Sequence, residues 1–391
     1  MRVMLVTSRY PLPAWRGNQV RTVEWLEALT DHSVLLLAPE TRGAAAGALA
    51  AEVIRYPLPA ISRAVGVLRA AATGLPMQEG LYGGGPARRA VISAVREWRP
   101  DVVIVQMVRC AWAAEAAWAA DPPVPVIFDS IDAMGLHFDR AADTARPVQA
   151  PVFRNEAARC RRRERMLAAR AGRSVAVSVR DLDALAAPAG RGRVIPVSGR
   201  LQEPVDVEKT KPVVLLSGNL GYRPTVRGAE WFARRVWPRL LERCPEARWV
   251  LAGARPAASV RRLARLPGVE LHADVPDLAA FLAAARVTIA PMSSGSGVPM
   301  KVLEAMAAGV PAVVHPWAAD GLTGDAGEAV AVASDADEWV DFLVGLLSDG
   351  QRALKLGQRG HELWRRSYHP QRVADQIRTV VDEVTSINSR V

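Results

Sequence analysis

Residues Pro291–Pro311 read PMSSGSGVPMKVLEAMAAGVP. A β-branched run, Val287–Ala290, stops just before this stretch. A Ser/Gly-rich loop follows, then a helix-forming segment that carries Lys301 and Glu304 and ends at Gly309, ahead of a second run at Ala312–Val314. Strand, loop, helix and strand in this order make the unit from which parallel sheets are built. The loop and the first helical turn aim backbone N–H groups beyond the strand end, where the helix dipole favours an anion. Pro299 has no N–H, which leaves Val298 and Met300 as the amide donors. Lys301 stands in the first turn, where a cation is slightly unfavourable unless an anion lies beside it. Glu304, three residues on, suits two hydrogen bonds from a ribose diol. The same residues also read as a capped helix with a surface Lys–Glu pair.

The alternation extends in both directions. Upstream, Val3–Val6, Ser33–Leu37, Val102–Val105, Val124–Phe128 and Val175–Val177 read as buried strands, with helices at Val20–Leu29, Pro86–Glu97 and about 152–171. Downstream, strands are expected at Val213–Leu216, Arg248–Leu251, Val269–His272, Val287–Ala290, Ala312–Val314 and Ala329–Val332. Helices are expected at Gly228–Arg243, Ser259–Leu266, Leu278–Ala285 and Val302–Ala308. The fold class is α/β: two Rossmann-like, doubly wound domains facing a central cleft. One domain is expected at 1–200 and a second at 201–365, with a helix at 366–391 expected to return toward the first. The linker falls near 199–212, and the helical tail kinks at Pro370.

Charge is uneven. Residues 1–200 hold 27 Lys and Arg against 18 Asp and Glu, whereas residues 201–391 hold 23 against 22. The basic half admits an anionic membrane surface, a nucleic acid or a merely solvated face. No aromatic-interleaved basic motif supports nucleic acid. Arg154–Arg173 carries eight arginines against Glu156 and Glu164, with Phe153, Ala157, Met166 and Leu167 left for the core. Its outward arginines suit an anionic bilayer or a lipid phosphate, or simply water. No window approaches the roughly 18–20 apolar residues of a membrane helix. Cys110, Cys160 and Cys244 form neither a disulfide framework nor a zinc pattern, which suits a reducing cytoplasm. The first strand leads to Ser8-Arg-Tyr-Pro rather than a dinucleotide G-x-G-x-x-G turn. Only four basic residues are lysines, Lys209, Lys211, Lys301 and Lys355, against 46 arginines. A compact ammonium at Lys301 therefore stands out.

The loop and helix from Gly295 to Val314 resemble the donor-binding signature of glycosyltransferase family 4, with Gly295, Gly297, Lys301, Glu304, Ala305, Met306, Ala307, Gly309 and Pro311 in register. Leu215–Thr225 (LLSGNLGYRPT) resembles the glycine turn that opens the family's second domain. Trp231–Leu241, Leu251–Pro256 and Pro267–Leu282 resemble the segments that follow. Tyr10–Arg21 (YPLPAWRGNQVR) is similar to the first-domain loop in which Gly17 faces a diphosphate. Ile127–Asp139 (IFDSIDAMGLHFD) is similar to the acceptor-side loop of the exopolysaccharide sugar-transferase branch.

The resemblance implies a retaining GT-B enzyme that moves a sugar from a UDP- or GDP-sugar to an acceptor hydroxyl, without metal or cofactor. The acceptor is a saccharide, a lipid-linked glycan or a small metabolite. It assigns donor binding to Gly17, Gly218, Asn219, Arg223, Val275, Gly297, Val298, Met300, Lys301 and Glu304, and acceptor positioning or base work to Asp132 and His137. It also implies a cytoplasmic enzyme with peripheral membrane contact through the basic first domain. Five positions depart from the pattern, among them Thr225 in place of an Asn, and Ile131, beside Asp132, in place of the histidine often found in the acceptor-side loop. Ser296 stands where many members carry a second carboxylate, and Asn219 and Pro224 replace the usual basic residues of the glycine turn. Lys301 then compensates the diphosphate, with Arg223, Arg227 or Arg9 as further candidates. A degenerate scaffold that binds a nucleotide or a partner protein is the competing expectation. Two Asp-x-Asp matches, Asp181–Asp183 and Asp335–Asp337, read as helix caps rather than metal ligands.

Overall fold

The computed structural model describes residues 1–14, 16–41, 51–143, 145–199, 201–294, 298–324 and 326–388. It divides into two compact units, Met1–Val197 with Val373–Val391, and Ser198–Arg372.

The first unit holds a seven-stranded parallel sheet. Its strands are β1 (Arg2–Val6), β2 (Ser33–Pro39), β3 (Glu52–Tyr56), β4 (Val102–Gln106), β5 (Val126–Ile131), β6 (Arg173–Ala176) and β7 (Gly192–Val194). Their order is β3-β2-β1-β4-β5-β6-β7. The central strands are apolar on both faces because helices cover both, so Val3, Met4, Leu5 and Val6 are all buried. The two edge strands went unseen in the sequence for physical reasons. β3 is mostly exposed and carries Arg55, and β7 is three residues long.

The second unit holds a six-stranded parallel sheet of β8 (Val213–Asn219), β9 (Arg248–Ala254), β10 (Val269–Ala273), β11 (Val287–Ala290), β12 (Ala312–Val314) and β13 (Ala331–Val332). The order is β10-β9-β8-β11-β12-β13. All six lie where the sequence places them, to within three residues at either end. The helix expected over Gly228–Arg243 is two helices, Arg223–Arg235 and Trp237–Arg243. Pro238 sits in the first turn of the second and cannot continue the first. Phe232, Trp237, Trp249 and Trp339 form the aromatic centre of this core, with the Phe232 and Trp249 rings 4.7 Å apart.

The tail is two helices, Gly350–Ser367 and Pro370–Asn388. In the second, Val373, Ile377, Val380, Val381 and Val384 fall on one face and join the hydrophobic core of the first unit. Glu383 on that helix accepts from Arg173 at 2.6 Å and Arg193 at 3.0 Å. No described helix is long and apolar enough to cross a membrane.

The Arg-rich helix spans Ala150–Arg170 and corrects the picture of a solvated face. Arg154, Arg162, Arg165 and Arg170 are exposed. Arg163, however, is buried against Glu79 and Glu115, and Arg159 donates to the carbonyls of Ala70 and Leu75. Both glutamates point inward, and Phe153 and Met166 are only half-buried.

Candidate functional site

In each sheet the winding reverses once, between β1 and β4 in the first and between β8 and β11 in the second. Ligands of open parallel sheets collect beyond the strand ends at such a reversal.

In the second unit, β8 ends in Ser217-Gly218-Asn219, and Pro291 and Met292 follow β11. Two helices start beside these ends, Arg223–Arg235 and Met300–Ala307. Among the described residues, neither has a side-chain cap or an acidic residue in its first turn. The sulfur of Met292 joins them, accepting from Thr225 Oγ1 at 3.7 Å and from Lys301 Nζ at 3.4 Å. Gly228 permits this approach, since a Cβ there would stand 2.7 Å from the Pro291 carbonyl oxygen. Gly218 has φ +104°, a left-handed region that suits glycine. A Cβ at Gly218 would lie 3.9 Å from both Cε and Nζ of Lys301, so the strand end and the ammonium are neighbours.

Lys301 is half-buried. Burial pulls its ammonium down to about 8, and Glu304 pushes the other way. Among the described residues, its hydrogen-bond partner is a thioether, a weak acceptor. The amides of Met300 and Lys301 open the helix and have no intrahelical acceptor. Two uncapped helix ends and a partly desolvated cation thus make a local positive centre, which can bind an anion by fixed dipoles and charge.

The other expected donor residues spread around this centre. Glu304 is half-buried one turn along. Val298 and Met300 are half-buried and pack on the cluster of Met292, Val302 and Leu303. Asn219 is exposed, and its Oδ1 accepts from Gly221 N at 3.0 Å. Arg223 is exposed at the start of its helix. Val275 follows β10, two strands from β8 and so about 10 Å to the side. Gly297 lies outside the described residues, as do Gly295 and Ser296.

In the first unit, Thr7, Ser8 and Arg9 follow β1, and Met107, Val108 and Arg109 follow β4. Arg109 Nε donates to Gln78 Oε1 at 3.0 Å, and its guanidinium lies 5.7 Å from the Tyr82 ring centroid. Arg9 Nη2 is 3.4 Å from the Tyr82 hydroxyl. Met107 (φ +62°) and Ile131 (φ +58°) are left-handed without being glycine. For β-branched Ile131 this is strain, of the kind that gathers at functional strand ends.

Asp132 follows Ile131, is half-buried, and acts electrostatically on Arg109. His137 lies in the helix Met134–Asp143. Burial, then the charges of Arg109 and Arg140, hold its imidazole below the ordinary value. Its Nδ1 is buried with no hydrogen-bond partner among the described residues. Arg109 thus acts on both expected acceptor-side residues. Gly17 is exposed as the first residue of the helix Gly17–Ala28, and a Cβ there would meet nothing within 4 Å.

Buried carboxylates fix this region. Glu164 accepts from the amides of Met134 at 2.6 Å and Gly135 at 3.1 Å. Asp181 accepts from Ala133 N at 3.2 Å. Glu156 accepts from the amides of Met77 and Gln78, both at 3.0 Å. Burial pushes the Glu164 carboxyl up to about 7 despite its two amide bonds. Fully buried Asp129 accepts from Trp25 Nε1 at 2.6 Å and from Arg21 Nε and Gln106 Nε2, both at 3.2 Å. Of the Asp-x-Asp pairs, Ser178 caps the helix containing Asp181, and Asp335 caps its own, accepting from Asp337 N and Glu338 N.

Sequence reasoning overlooked Arg109, Tyr82, Gln78 and the glutamates. Arg109 had a signal, since it lies just beyond a strand end. The glutamates had none, because a buried acceptor of amide bonds and a surface counter-ion look alike on an Arg-rich helix.

Residues 211–349 match the family model for glycosyl transferases group 1. No curated protein sequence matches the chain. Among solved structures, a sucrose-phosphate synthase from Thermosynechococcus elongatus is similar at TM-score 0.74 and 15% identity, covering 99% of this chain and 100% of its own. Anabaena HepE in complex with UDP-glucose is similar at TM-score 0.68 and 14% identity, covering 98% and 99%. The glycotransferase of kitacinnamycin is similar at TM-score 0.58 and 20% identity, covering 97% and 98%. The matched residues lie within the second unit, and the chain as a whole has the two-sheet GT-B architecture of these structures.

Proposed function

We propose that this chain transfers a sugar from a nucleotide-diphosphate sugar to an acceptor hydroxyl, with retention of configuration, as a cytoplasmic enzyme of family 4 and its exopolysaccharide-type branch. The carrying observation is Lys301, a half-buried ammonium between two uncapped helix N-termini at the reversal point of the second sheet. Breaking the sugar–phosphate bond places growing negative charge on the diphosphate. Fixed amides and a partly desolvated cation stabilise that charge better than mobile water does. Lys301 and the amides of Val298 and Met300 take the diphosphate, and Glu304 takes the ribose diol. Gly218 leaves room for the close approach. Asn219, Arg223 and Val275 border the nucleotide. Metal has no part in this reading, because the chain's own groups supply the compensation.

On retention, the leaving phosphate oxygen itself takes the acceptor proton, so no strong protein base is required. Asp132 and neutral His137 then position the acceptor on the first unit. The UDP-glucose held by the similar HepE supports a UDP-sugar as the donor. Lys301→Ala and Glu304→Ala should each cut transfer at least tenfold while melting stays within a few degrees. Full turnover in both variants would sink the assignment. A several-degree thermal shift with one of UDP, GDP, ADP or dTDP identifies the nucleotide.

A peripheral membrane contact has its own support. In the helix Ala60–Thr73, Ile61, Val65 and Leu68 are 75%, 59% and 70% exposed along one face, flanked by exposed Arg63 and Arg69 with no acidic residue in the helix. Apolar and basic side chains displayed together suit an anionic bilayer. Ile61→Ser with Leu68→Ser should abolish sedimentation with phosphatidylglycerol vesicles. Unchanged sedimentation refutes this contact.

A further inference from the structure

At the reversal point of the first sheet, two guanidinium groups meet on one phenol. Arg9 Nη2 reaches the Tyr82 hydroxyl at 3.4 Å, and the Arg109 guanidinium lies 5.7 Å from the same ring. Among the described residues, neither arginine forms an ion pair. Two buried arginines of the same unit do: Arg163 pairs with Glu79 and Glu115, and Arg21 with Asp129. Among the described residues, the groups that hold Arg9 and Arg109 by direct contact are the neutral Gln78 and Tyr82. Burial pulls Arg109 below its ordinary value and the Arg9 charge adds to this, while Tyr82 and Asp132 act against it.

The unfavourable pairing of like charges is kept in place by buried supports. Glu156 fixes the amides of Met77 and Gln78 at the start of the helix Met77–Tyr82, and Trp112 Nε1 donates to the Arg109 carbonyl at 3.0 Å. Strained Met107 and Ile131 stand at the ends of the two adjacent strands.

Each guanidinium presents a planar fork of N–H donors that matches an oxyanion. Two forks carry two positive charges and more donors than a carboxylate's two oxygens can use. A phosphate monoester has three terminal oxygens and a charge of about −1.5 to −2 at neutral pH. The Tyr82 hydroxyl accepts from Arg9 and keeps its own proton to donate. We propose that Arg9, Arg109 and Tyr82 form a binding site for a phosphate monoester carried by the acceptor molecule. The word acceptor rests on the transferase reading; the phosphate site itself stands on the first unit alone.

The test is calorimetric titration of the full chain with glucose 6-phosphate, glucose and inorganic phosphate, with and without saturating UDP. We expect both phosphates to bind, and glucose to bind at least tenfold more weakly than its phosphate. Arg9→Gln and Arg109→Gln should each weaken phosphate binding at least tenfold while melting stays within a few degrees, and Arg109→Gln should leave UDP affinity within twofold. Arg109→Lys, which keeps the charge but loses the fork, should fall between. Lys301→Ala should show the reverse, losing UDP and keeping phosphate.

The site is overturned if glucose and its phosphate bind alike, if both glutamine variants bind phosphate as the parent does, or if UDP abolishes phosphate binding. Vesicles of phosphatidic acid separate the sources. Capture that glucose 6-phosphate reverses assigns the phosphate to a lipid, and phosphate binding without capture assigns it to a soluble acceptor; either supports the site. A chain that releases nucleotide from a sugar donor but binds neither phosphate refutes the site alone. A chain that binds phosphate but no nucleotide refutes the transferase reading alone.

Discussion

The two sheets share the order 3-2-1-4-5-6 counted within each unit, with a seventh strand added at the edge of the first, but their reversal points are furnished differently. In the second unit, the helices Arg223–Arg235 and Met300–Ala307 begin without caps, glycine lines the strand end, and Lys301 adds a compact charge. In the first unit, the nearby helices at Met77 and Met134 are already met by the buried carboxylates of Glu156 and Glu164. Their dipoles are spent on the protein itself, and the cations left over are arginine side chains. Backbone ends suit a ligand part common to every donor, such as a diphosphate. Side-chain forks on a rigid frame suit a part that differs between acceptors.

The comparison breaks most visibly at Glu164. Glu164→Ala leaves the Met134 and Gly135 amides without acceptors at about 1–3 kcal/mol each. Hydrogen exchange at residues 132–137 should accelerate while the second unit keeps its protection. Unaltered exchange there would show that the carboxylate does not hold the loop. The same residue gives a signed pH effect. Its folded value near 7 exceeds the ordinary 4.5, so the folded chain keeps a proton that the unfolded chain has lost. That stabilisation is complete below about 4.5, declines as pH rises toward 7 and is gone above. Glu164→Gln should flatten the slope in denaturant midpoints across this window.

Next in size is Lys301, whose charge the comparison assigns to the donor side. Nucleotide affinity should fall by up to about tenfold as pH rises through 8, where the free ammonium loses its proton. Lys301→Met should bind weakly and without that dependence. A parent curve flat to pH 9.5 would mean that the ammonium does not meet the nucleotide. The smallest effect is expected at Gly218. A side chain at φ +104° costs roughly 1 kcal/mol, so Gly218→Ala should lose about fivefold in nucleotide affinity with glucose 6-phosphate binding unchanged. An equal loss on both ligands would point to a general distortion instead.

The second unit was more legible in the sequence than the first. Its strands are continuous apolar runs between clear turn residues, and Lys301 with Glu304 sits on a strand–loop–helix pattern that periodicity alone reveals. In the first unit, β3 and β7 carry too little apolar signal, and the helix Ala60–Thr73 faces its Ile, Val and Leu outward, where a core-seeking pattern fails. Arg163 and Arg165 are two residues apart on one helix, yet the first is buried against glutamates and the second is exposed. Composition cannot separate them, because what distinguishes them is a partner 84 residues away in the chain. His137 and Asp132 were marked by the loop's resemblance, whereas Arg109, which acts on both, belonged to no motif.

The helix Pro370–Asn388 supplies five valines and isoleucines to a core whose other members all precede residue 196. The first unit is therefore split in the gene, and the second is an insertion within it. During synthesis the ribosome makes the whole second unit before the first can close, so residues 1–197 must wait with an open hydrophobic groove while residues 198–372 fold. A stop codon after residue 372 should accordingly harm the beginning of the protein rather than its end. Limited proteolysis of that truncated chain is expected to digest the first unit and spare the second.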